Sequence, residues 1–259
     1  MIHNYLHRNS DYPSILAVFA HPDDEAFLVG GTLAHYARCG ARVELLCLTH
    51  GEGGASAIGL QRPDQLARLR RTELEECCKV LGVDLISVLN FPDGRLTDIG
   101  TNTVARSIAH VIEARQPEVV LTFGPDGLTG HPDHLAASQQ TTLAFEQVAR
   151  PGSALFYAGL NGQTVQRLSS RMEGSLGDLP LRLTGLPETR LPVKVDIHRT
   201  ARLKWSALEC HRSQADSFSG LSHSDRLLMS QYEYFQLARI AGGLKNRQPL
   251  LDTRSSRIK

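Results

Sequence analysis

Two short segments of the chain concentrate imidazole and carboxylate side chains at spacings that suit a metal ion. One reads HPDDE from His21 and the other reads HPDH from His131. The outer polar residues are three positions apart, pairing His21 with Asp24 and His131 with His134. At a loop-to-helix junction such pairs can converge on one point. Two imidazoles and one carboxylate form a shell that catalytic zinc commonly uses, with a fourth position left open for water.

Further polar groups in the same two segments could assist chemistry at such an ion. Asp23, His131 and Asp133 lie beside the paired residues and could supply a base, an electrostatic partner and orientation of the ligands. The alternative interpretation is purely structural, because proline and acidic residues are also favoured in the first turn of a helix. The occurrence of two such segments, each at a loop where a site is expected, favours the functional interpretation.

The elements that must position these segments follow from the hydrophobic pattern. Short apolar runs predict strands at residues 14–20, 43–49, 85–89, 118–123, 154–158 and 193–197. Helical patterns occupy residues 25–39, 64–81, 101–115, 132–149 and 200–211. This alternation predicts an α/β, Rossmann-like fold with a mostly parallel sheet and helices on both faces. Residues 161–190 show only weak periodicity and receive no assignment.

The doubly wound form of this fold has the strand order 3-2-1-4-5. Ligands bind outside the carboxyl ends of the strands where the order reverses, between strands 1 and 4. The chemistry should therefore lie just after Ala20 and just after Phe123, which is where the HPDDE and HPDH segments follow. We expect one domain over residues 1–259 with a core at about 14–214 and a C-terminal extension. The polar tail after about residue 246 is compatible with disorder.

Composition and charge narrow the class of protein. The formal net charge is +1 without long runs of one sign, which argues against nucleic acid or an anionic membrane as the main partner. Apolar runs are too short to span a bilayer, and no secretory signal is recognisable at the N-terminus. Five cysteines without a CxxC motif indicate reduced thiols and a cytoplasmic location. The sequence is also compatible with a homo-oligomer.

Several motifs together resemble the LmbE/PIG-L deacetylase family. The segments AHPDDE at 20–25 and GHPDH at 130–134 look like its paired signatures. Further similarities to its motifs lie at residues 49–54 (THGEGG), 70–74 (RRTEL), 115–120 (RQPEVV) and 211–214 (HRSQ). The resemblance covers about residues 14–214.

The resemblance implies a zinc-dependent enzyme that removes acetyl groups from N-acetylglucosamine in small molecules or glycoconjugates. By that resemblance, Zn²⁺ would be bound by His21, Asp24 and His134.

The resemblance also implies roles for the neighbouring polar residues. Asp23 would be the general base, and His131 would stabilise the oxyanion or protonate the leaving amine. Asp133 would orient a neighbouring imidazole, and Arg70 would contact the substrate.

Other functions remain open from the sequence. The motifs do not separate de-N-acetylation from a mycothiol-conjugate-type amidase or another metal-assisted amide hydrolase, because the pocket walls choose the substrate. Two histidines and one carboxylate also suit a non-haem Fe(II) oxygenase. A non-enzymatic binding module is disfavoured because it would not need Asp23 beside the metal. A dinucleotide site is disfavoured because no GxGxxG motif follows the first strand.

One position departs from the family pattern. Some members carry tyrosine two residues before the first histidine of HPDH, whereas this chain has Thr129. A threonine hydroxyl is several ångströms shorter in reach than a phenol. We therefore expect Thr129 to cap the following helix or hold a water molecule rather than contact the reacting carbonyl.

Overall fold

A computed structural model describes residues 12–172 and 183–242 of the chain. Its strands are β1 (Ile15–Phe19), β2 (Val43–Thr49), β3 (Asp84–Phe91), β4 (Val119–Phe123), β5 (Ala154–Asn161), β6 (Gly185–Leu186), β7 (Val193–Asp196) and β8 (Tyr232–Ile240). Its α-helices are α1 (Asp24–Arg38), α2 (Pro63–Leu81), α3 (Thr101–Arg115), α4 (Gly127–Gly130), α5 (Pro132–Val148), α6 (Gly162–Met172), α7 (Ala201–Leu208) and α8 (His223–Leu228). Single 3₁₀ segments cover Leu96–Asp98, Glu188–Arg190 and Arg212–Phe218.

The strands form one mixed sheet in the order β3-β2-β1-β4-β5-β8-β7, with β6 paired to β5. The first five strands of this order are parallel, and β8 is antiparallel to both β5 and β7. The predicted α/β class and the predicted order 3-2-1-4-5 are therefore confirmed. Every residue of β1, β2 and β4 is buried, as expected for parallel strands covered on both faces.

Strand β8 has no counterpart in the sequence-based assignment. Its sequence YEYFQLARI mixes charged and apolar residues, so it does not read as a buried strand. Glu233 nevertheless points inward, because its carboxylate accepts hydrogen bonds from the backbone N–H groups of Gly31 (3.0 Å) and Thr32 (2.7 Å). Lys204 Nζ donates to the same carboxylate at 2.6 Å. Burial of this acid is possible because these hydrogen bonds and the charge of Lys204 compensate the carboxylate for the water that it loses.

Helix boundaries follow the predicted ones with local differences. Helix α2 ends where Gly82 adopts a left-handed conformation (φ 73°), as the sequence predicts. The helix predicted at 200–211 ends earlier, at Leu208, and a 3₁₀ segment follows from Arg212. The unassigned region 161–190 contains α6 and β6 in its described part. The predicted tail after 246 lies outside the described residues.

The edge of the sheet at the ends of β1 and β4 positions the two polar segments. These strands are adjacent and in register, with Ile15 opposite Val119. Helix α1 begins at Asp24, directly after β1, and α5 begins at Pro132, after the short α4. Both polar segments therefore leave the sheet at the same edge. Among the described helices, none has the length and apolar character needed to cross a membrane.

Candidate metal centre and active site

The three residues predicted to hold a metal converge at this edge. His21 Nδ1 lies 3.2 Å from His134 Nε2 and 3.4 Å from Asp24 Oδ2. His134 Nε2 lies 3.2 Å from Asp24 Oδ1. Bonds of about 2.0–2.1 Å meeting at tetrahedral angles would separate ligand atoms by about 3.3 Å, so this spacing suits one small cation. All three side chains are buried.

The outer nitrogen of each imidazole has its own acceptor. His21 Nε2 lies 3.0 Å from Asp93 Oδ1 and 3.2 Å from Asp133 Oδ2. His134 Nδ1 lies 3.0 Å from the carbonyl oxygen of Gly127. With the protons held on these outer nitrogens, the lone pairs of the two inner nitrogens face each other and Asp24. That arrangement is the one found in metal-bound histidines, and it fits a cation at this point.

The electrostatic environment of the site also favours a bound cation. Burial tends to lower the pKa of His21, yet hydrogen bonds to Asp133, Asp24 and Asp93 hold that pKa well above its ordinary value. Burial tends to raise the pKa of Asp24, but the charge and hydrogen bond of His134 lower it below its ordinary range. Positive charge is therefore strongly stabilised here, and a divalent metal supplies it.

Asp133 and Asp93 form the outer support of this centre. Asp133 is fully buried, and its carboxylate accepts from the backbone N–H groups of Gly94 (2.7 Å) and Leu96 (2.9 Å) as well as contacting His21. Although burial opposes it, the hydrogen bond from His21 lowers the pKa of Asp133. This position is compatible with the orienting role predicted for Asp133.

Asp93 lies in the segment PDG at 92–94, whose sequence favours a turn over a site residue. The turn is present, but the side chain also contacts His21 and accepts from Gly53 N at 2.8 Å. Burial raises its pKa, and the opposing hydrogen bond from His21 brings it to about 2. The available signal was its place directly after β3, at the same edge of the sheet as the two polar segments.

Asp23, the predicted general base, lines the same cavity as His21, Asp24 and His134. It has a positive φ of 116°, which is unusual for a residue other than glycine and indicates local strain. Its backbone N–H donates to Glu25 Oε2 at 3.1 Å, and its carboxylate accepts from Arg70 Nη2 at 3.1 Å. Burial raises the pKa of Asp23 to about 6, although the charge of Arg70 opposes the shift.

Arg70, predicted to contact the substrate, is buried beside Asp23. Its guanidinium donates to the carbonyl oxygens of Pro22 (2.6 Å) and Gly51 (2.8 Å) in addition to Asp23. These bonds fix the loop that holds Asp23 in its strained conformation. A contact between Arg70 and substrate stays a prediction.

His131 stands at the mouth of the centre as the N-cap of α5. Its Nδ1 accepts from the backbone N–H of Asp133 at 3.1 Å, so the neutral ring carries its proton on Nε2. One of its ring nitrogens lies within 4.8 Å of those of His21 and His134. Burial, and then the charges of these two histidines, lower its pKa. His131 can therefore present a neutral N–H donor to a bound ligand.

The segment HRSQ at 211–214 forms hydrogen bonds to residues that support the site. His211 Nε2 lies 3.0 Å from Glu25 Oε1, and Glu25 in turn holds the backbone of Asp23. Ser213 donates through both its backbone N–H and its hydroxyl to Glu73 on α2. Gln214 donates to the carbonyl oxygen of Ala55 at 2.9 Å. Direct hydrogen bonds thus join the HRSQ motif to the motifs at 20–25 and 70–74.

Thr129 does not cap α5, because His131 holds that position. Its hydroxyl accepts from His131 N at 3.3 Å and lies 3.4 Å from His134 Nδ1. Because Gly127 already accepts from His134 at a shorter distance, the hydroxyl is a secondary contact.

We expect Thr129→Val to lower kcat by less than about tenfold, and His131→Ala to lower it by about 10²–10³-fold, as loss of an oxyanion donor does. The measurement is steady-state acetate release by both variants at equal metal content. A larger loss in Thr129→Val than in His131→Ala would mean that the hydroxyl, or a water it holds, takes part in the reaction.

A cavity of about 470 Å³ opens over this centre, a size typical of small-ligand sites. The three proposed ligands, Asp23 and His131 all line it. The cavity therefore gives a small molecule direct access to the paired imidazoles and acids.

Known proteins with similar sequences are described as de-N-acetylases. The family model described as PIG-L, GlcNAc-PI de-N-acetylase, matches residues 16–145. The 1D-myo-inositol 2-acetamido-2-deoxy-α-D-glucopyranoside deacetylase 2 of Catenulispora acidiphila is 30% identical, covering 88% of this chain and 90% of that protein.

Two solved structures share the fold at lower identity. The N,N'-diacetylchitobiose deacetylase from Pyrococcus horikoshii has a TM-score of 0.67 and 22% identity, covering 88% of this chain and 84% of its own. GalB, the 4-carboxy-2-hydroxymuconate hydratase from Pseudomonas putida, has a TM-score of 0.64 and 20% identity, covering 90% and 100%. Since the second is a hydratase, the fold alone does not determine the reaction.

Proposed function

The chain belongs to the PIG-L family of de-N-acetylases, and on that premise we propose that it is a zinc-dependent hydrolase. Its reaction would remove the acetyl group from a small molecule or glycoconjugate that contains N-acetylglucosamine. The observation that carries this proposal is the convergence of His21 Nδ1, His134 Nε2 and Asp24 within 3.4 Å, with the two outer ring nitrogens already bonded.

We assign the metal to His21, Asp24 and His134. Zinc at this point would supply a Lewis acid and a more acidic bound water, which is the chemistry that amide hydrolysis needs near neutral pH. Zinc is favoured over Fe(II) because relatives of this family are named as deacetylases, and hydrolysis requires no redox change.

Asp23 is proposed as the general base because it lies next to the ligand Asp24 without sharing its contacts. Its carboxylate would take a proton from the water that attacks the acetyl carbonyl carbon. The same proton would then pass to the amine nitrogen as the C–N bond breaks, which avoids expelling an amide anion. Arg70 holds Asp23 in place from the opposite side.

His131 is proposed as the donor to the oxyanion of the tetrahedral intermediate. Because its Nδ1 accepts from Asp133 N, Nε2 is the nitrogen that carries the proton in the neutral ring. A fixed N–H donor at the position of developing negative charge stabilises the transition state. Asp133 is proposed to orient His21, which it contacts at 3.2 Å.

We expect acetate release from at least one N-acetylglucosaminide and none from acetyl-lysine peptides. The cavity of about 470 Å³ has room for a sugar ring beside the acids and imidazoles, and the narrow stem of an acetyl-lysine would leave most of that space unfilled. The measurement is an acetate assay across inositol-, malate-, phospholipid- and glycopeptide-linked N-acetylglucosamine, with the peptide as comparison. Efficient peptide deacetylation would contradict the assignment of substrate class.

A further inference from the structure

The cavity over the metal centre has two chemically different sides. One side presents the acids and imidazoles described above. The other comprises Phe27, Phe218 and Leu221, which line the cavity and pack together in one small hydrophobic cluster. The apolar side is continuous with the reaction centre, since both belong to the same cavity of about 470 Å³.

The apolar side is built as a firm wall. Phe27 lies on α1, four residues after Asp23 in sequence. Its ring stacks on that of Phe218, with 5.6 Å between the ring centroids and 27° between the ring planes. Both rings pack against a small hydrophobic cluster formed by Leu168, Leu221 and Met229. The wall is thus an extension of the packed interior and keeps its shape without a ligand.

Few polar side chains of the cavity are available near these apolar residues: Ser217 offers one hydroxyl next to Phe218, and the amide nitrogen of Gln214 already donates to Ala55 and Ser213. Arg70 is engaged with two carbonyl oxygens and Asp23, and Asp93 with His21 and Gly53. A hydroxyl-rich group placed against the wall would lose hydrogen bonds to water and gain few in return. An apolar group there would instead release water from the wall and from itself.

We propose that the N-acetylglucosamine substrate carries an alkyl or aryl group at its glycosidic position, and that this group lies against Phe27, Phe218 and Leu221. This inference rests on the proposed function and deepens it. The acetyl group offers a single methyl, so the wall must face another part of the substrate. The glycosidic substituent is the part that differs among N-acetylglucosaminides.

The test compares methyl, butyl and hexyl N-acetylglucosaminides with the inositol-linked compound. Burial of methylenes against the wall should raise kcat/KM by about three- to fourfold for each one that finds contact. We expect the hexyl compound to exceed both the methyl and the inositol-linked compounds by at least about tenfold. A flat series, a preference for the inositol-linked compound, or a preference for longer N-acyl chains over longer glycosides would overturn the proposal.

The variant Phe218→Ala locates the effect, with Phe218→Leu as the conservative partner. Phe218→Ala should lower kcat/KM for the hexyl compound by about tenfold and for the methyl compound by less than about twofold, and Phe218→Leu should restore most of the loss. Leu227→Ser is the matched control, because Leu227 is exposed and lies outside the lining of the cavity. An equal loss of activity on both compounds would mean that Phe218 only supports the fold.

Calorimetry with the deacetylated hexyl and methyl glucosaminides separates this inference from the proposed function. Binding needs no turnover, and the hexyl compound should bind at least about tenfold more tightly than the methyl compound. Tighter hexyl binding without acetate release from any N-acetylglucosaminide would uphold the apolar subsite and overturn the proposed reaction. Acetate release with equal binding and a flat series would do the reverse.

Discussion

The Asp23→Asn variant should keep its metal and its substrate affinity but lose kcat by about 10²–10⁴-fold, the range for a general base. Asparagine cannot accept the proton of the attacking water. It can still accept the hydrogen bond that Arg70 donates to Asp23, and it tolerates positive φ better than most residues. The fold and the metal site should therefore survive, and the loss should appear in kcat alone. The measurement is steady-state acetate release together with the metal content of the purified protein.

The neighbouring acid supplies the sharpest comparison. Asp24→Asn should lose affinity for the metal, because Asp24 provides the one carboxylate of the proposed ligand set. Asp98→Asn is the matched control, since Asp98 is exposed and forms a surface ion pair with Arg95. Metal loss in Asp23→Asn with retention in Asp24→Asn would show that the two roles are reversed.

The ligand variants His21→Ala, Asp24→Ala and His134→Ala should each bind zinc far more weakly and lose nearly all acetate release. Removing one of three protein ligands leaves two, which rarely hold catalytic zinc. In His21→Ala the carboxylates of Asp93 and Asp133 also lose their common partner. Zinc per chain after dialysis and the rate of acetate release are the two measurements.

His198→Ala is the control for the loss of an imidazole. His198 is exposed, pairs with Asp196 at 2.7 Å and does not belong to the lining of the cavity. It should retain wild-type zinc content and activity. Stoichiometric zinc retained by all three ligand variants would contradict the assignment of the metal site.

The central part of the fold was predictable because its strands carry the simplest pattern. β1 and β4 are wholly buried runs of apolar residues, and the helices between them are amphipathic with clear ends. The position of the residues proposed to bind the metal followed from this order through the reversal between β1 and β4. No similar rule applied to β8, whose buried Glu233 is stabilised by partners more than twenty residues away in sequence.

The supporting residues were less predictable than the ligands. Asp93 reads as a turn residue, and only the closing of the sheet brings it to 3.0 Å from His21. For Arg70 the resemblance implies a contact with substrate, but it does not reveal that the fold buries the guanidinium against Pro22, Gly51 and Asp23. Such roles depend on contacts between distant segments, which spacing within one segment cannot reveal.

The most direct test of the proposed metal-assisted reaction is to titrate chelator-treated protein with Zn²⁺ and to measure bound zinc and acetate release on the same samples. An N-acetylglucosaminide is the substrate, and the Asp24→Ala variant is treated in parallel. Bound zinc and acetate release should rise together and level off at one ion per chain, while Asp24→Ala should show neither. Full activity in the metal-free protein, or in Asp24→Ala, would contradict a metal-assisted de-N-acetylation at His21, Asp24 and His134.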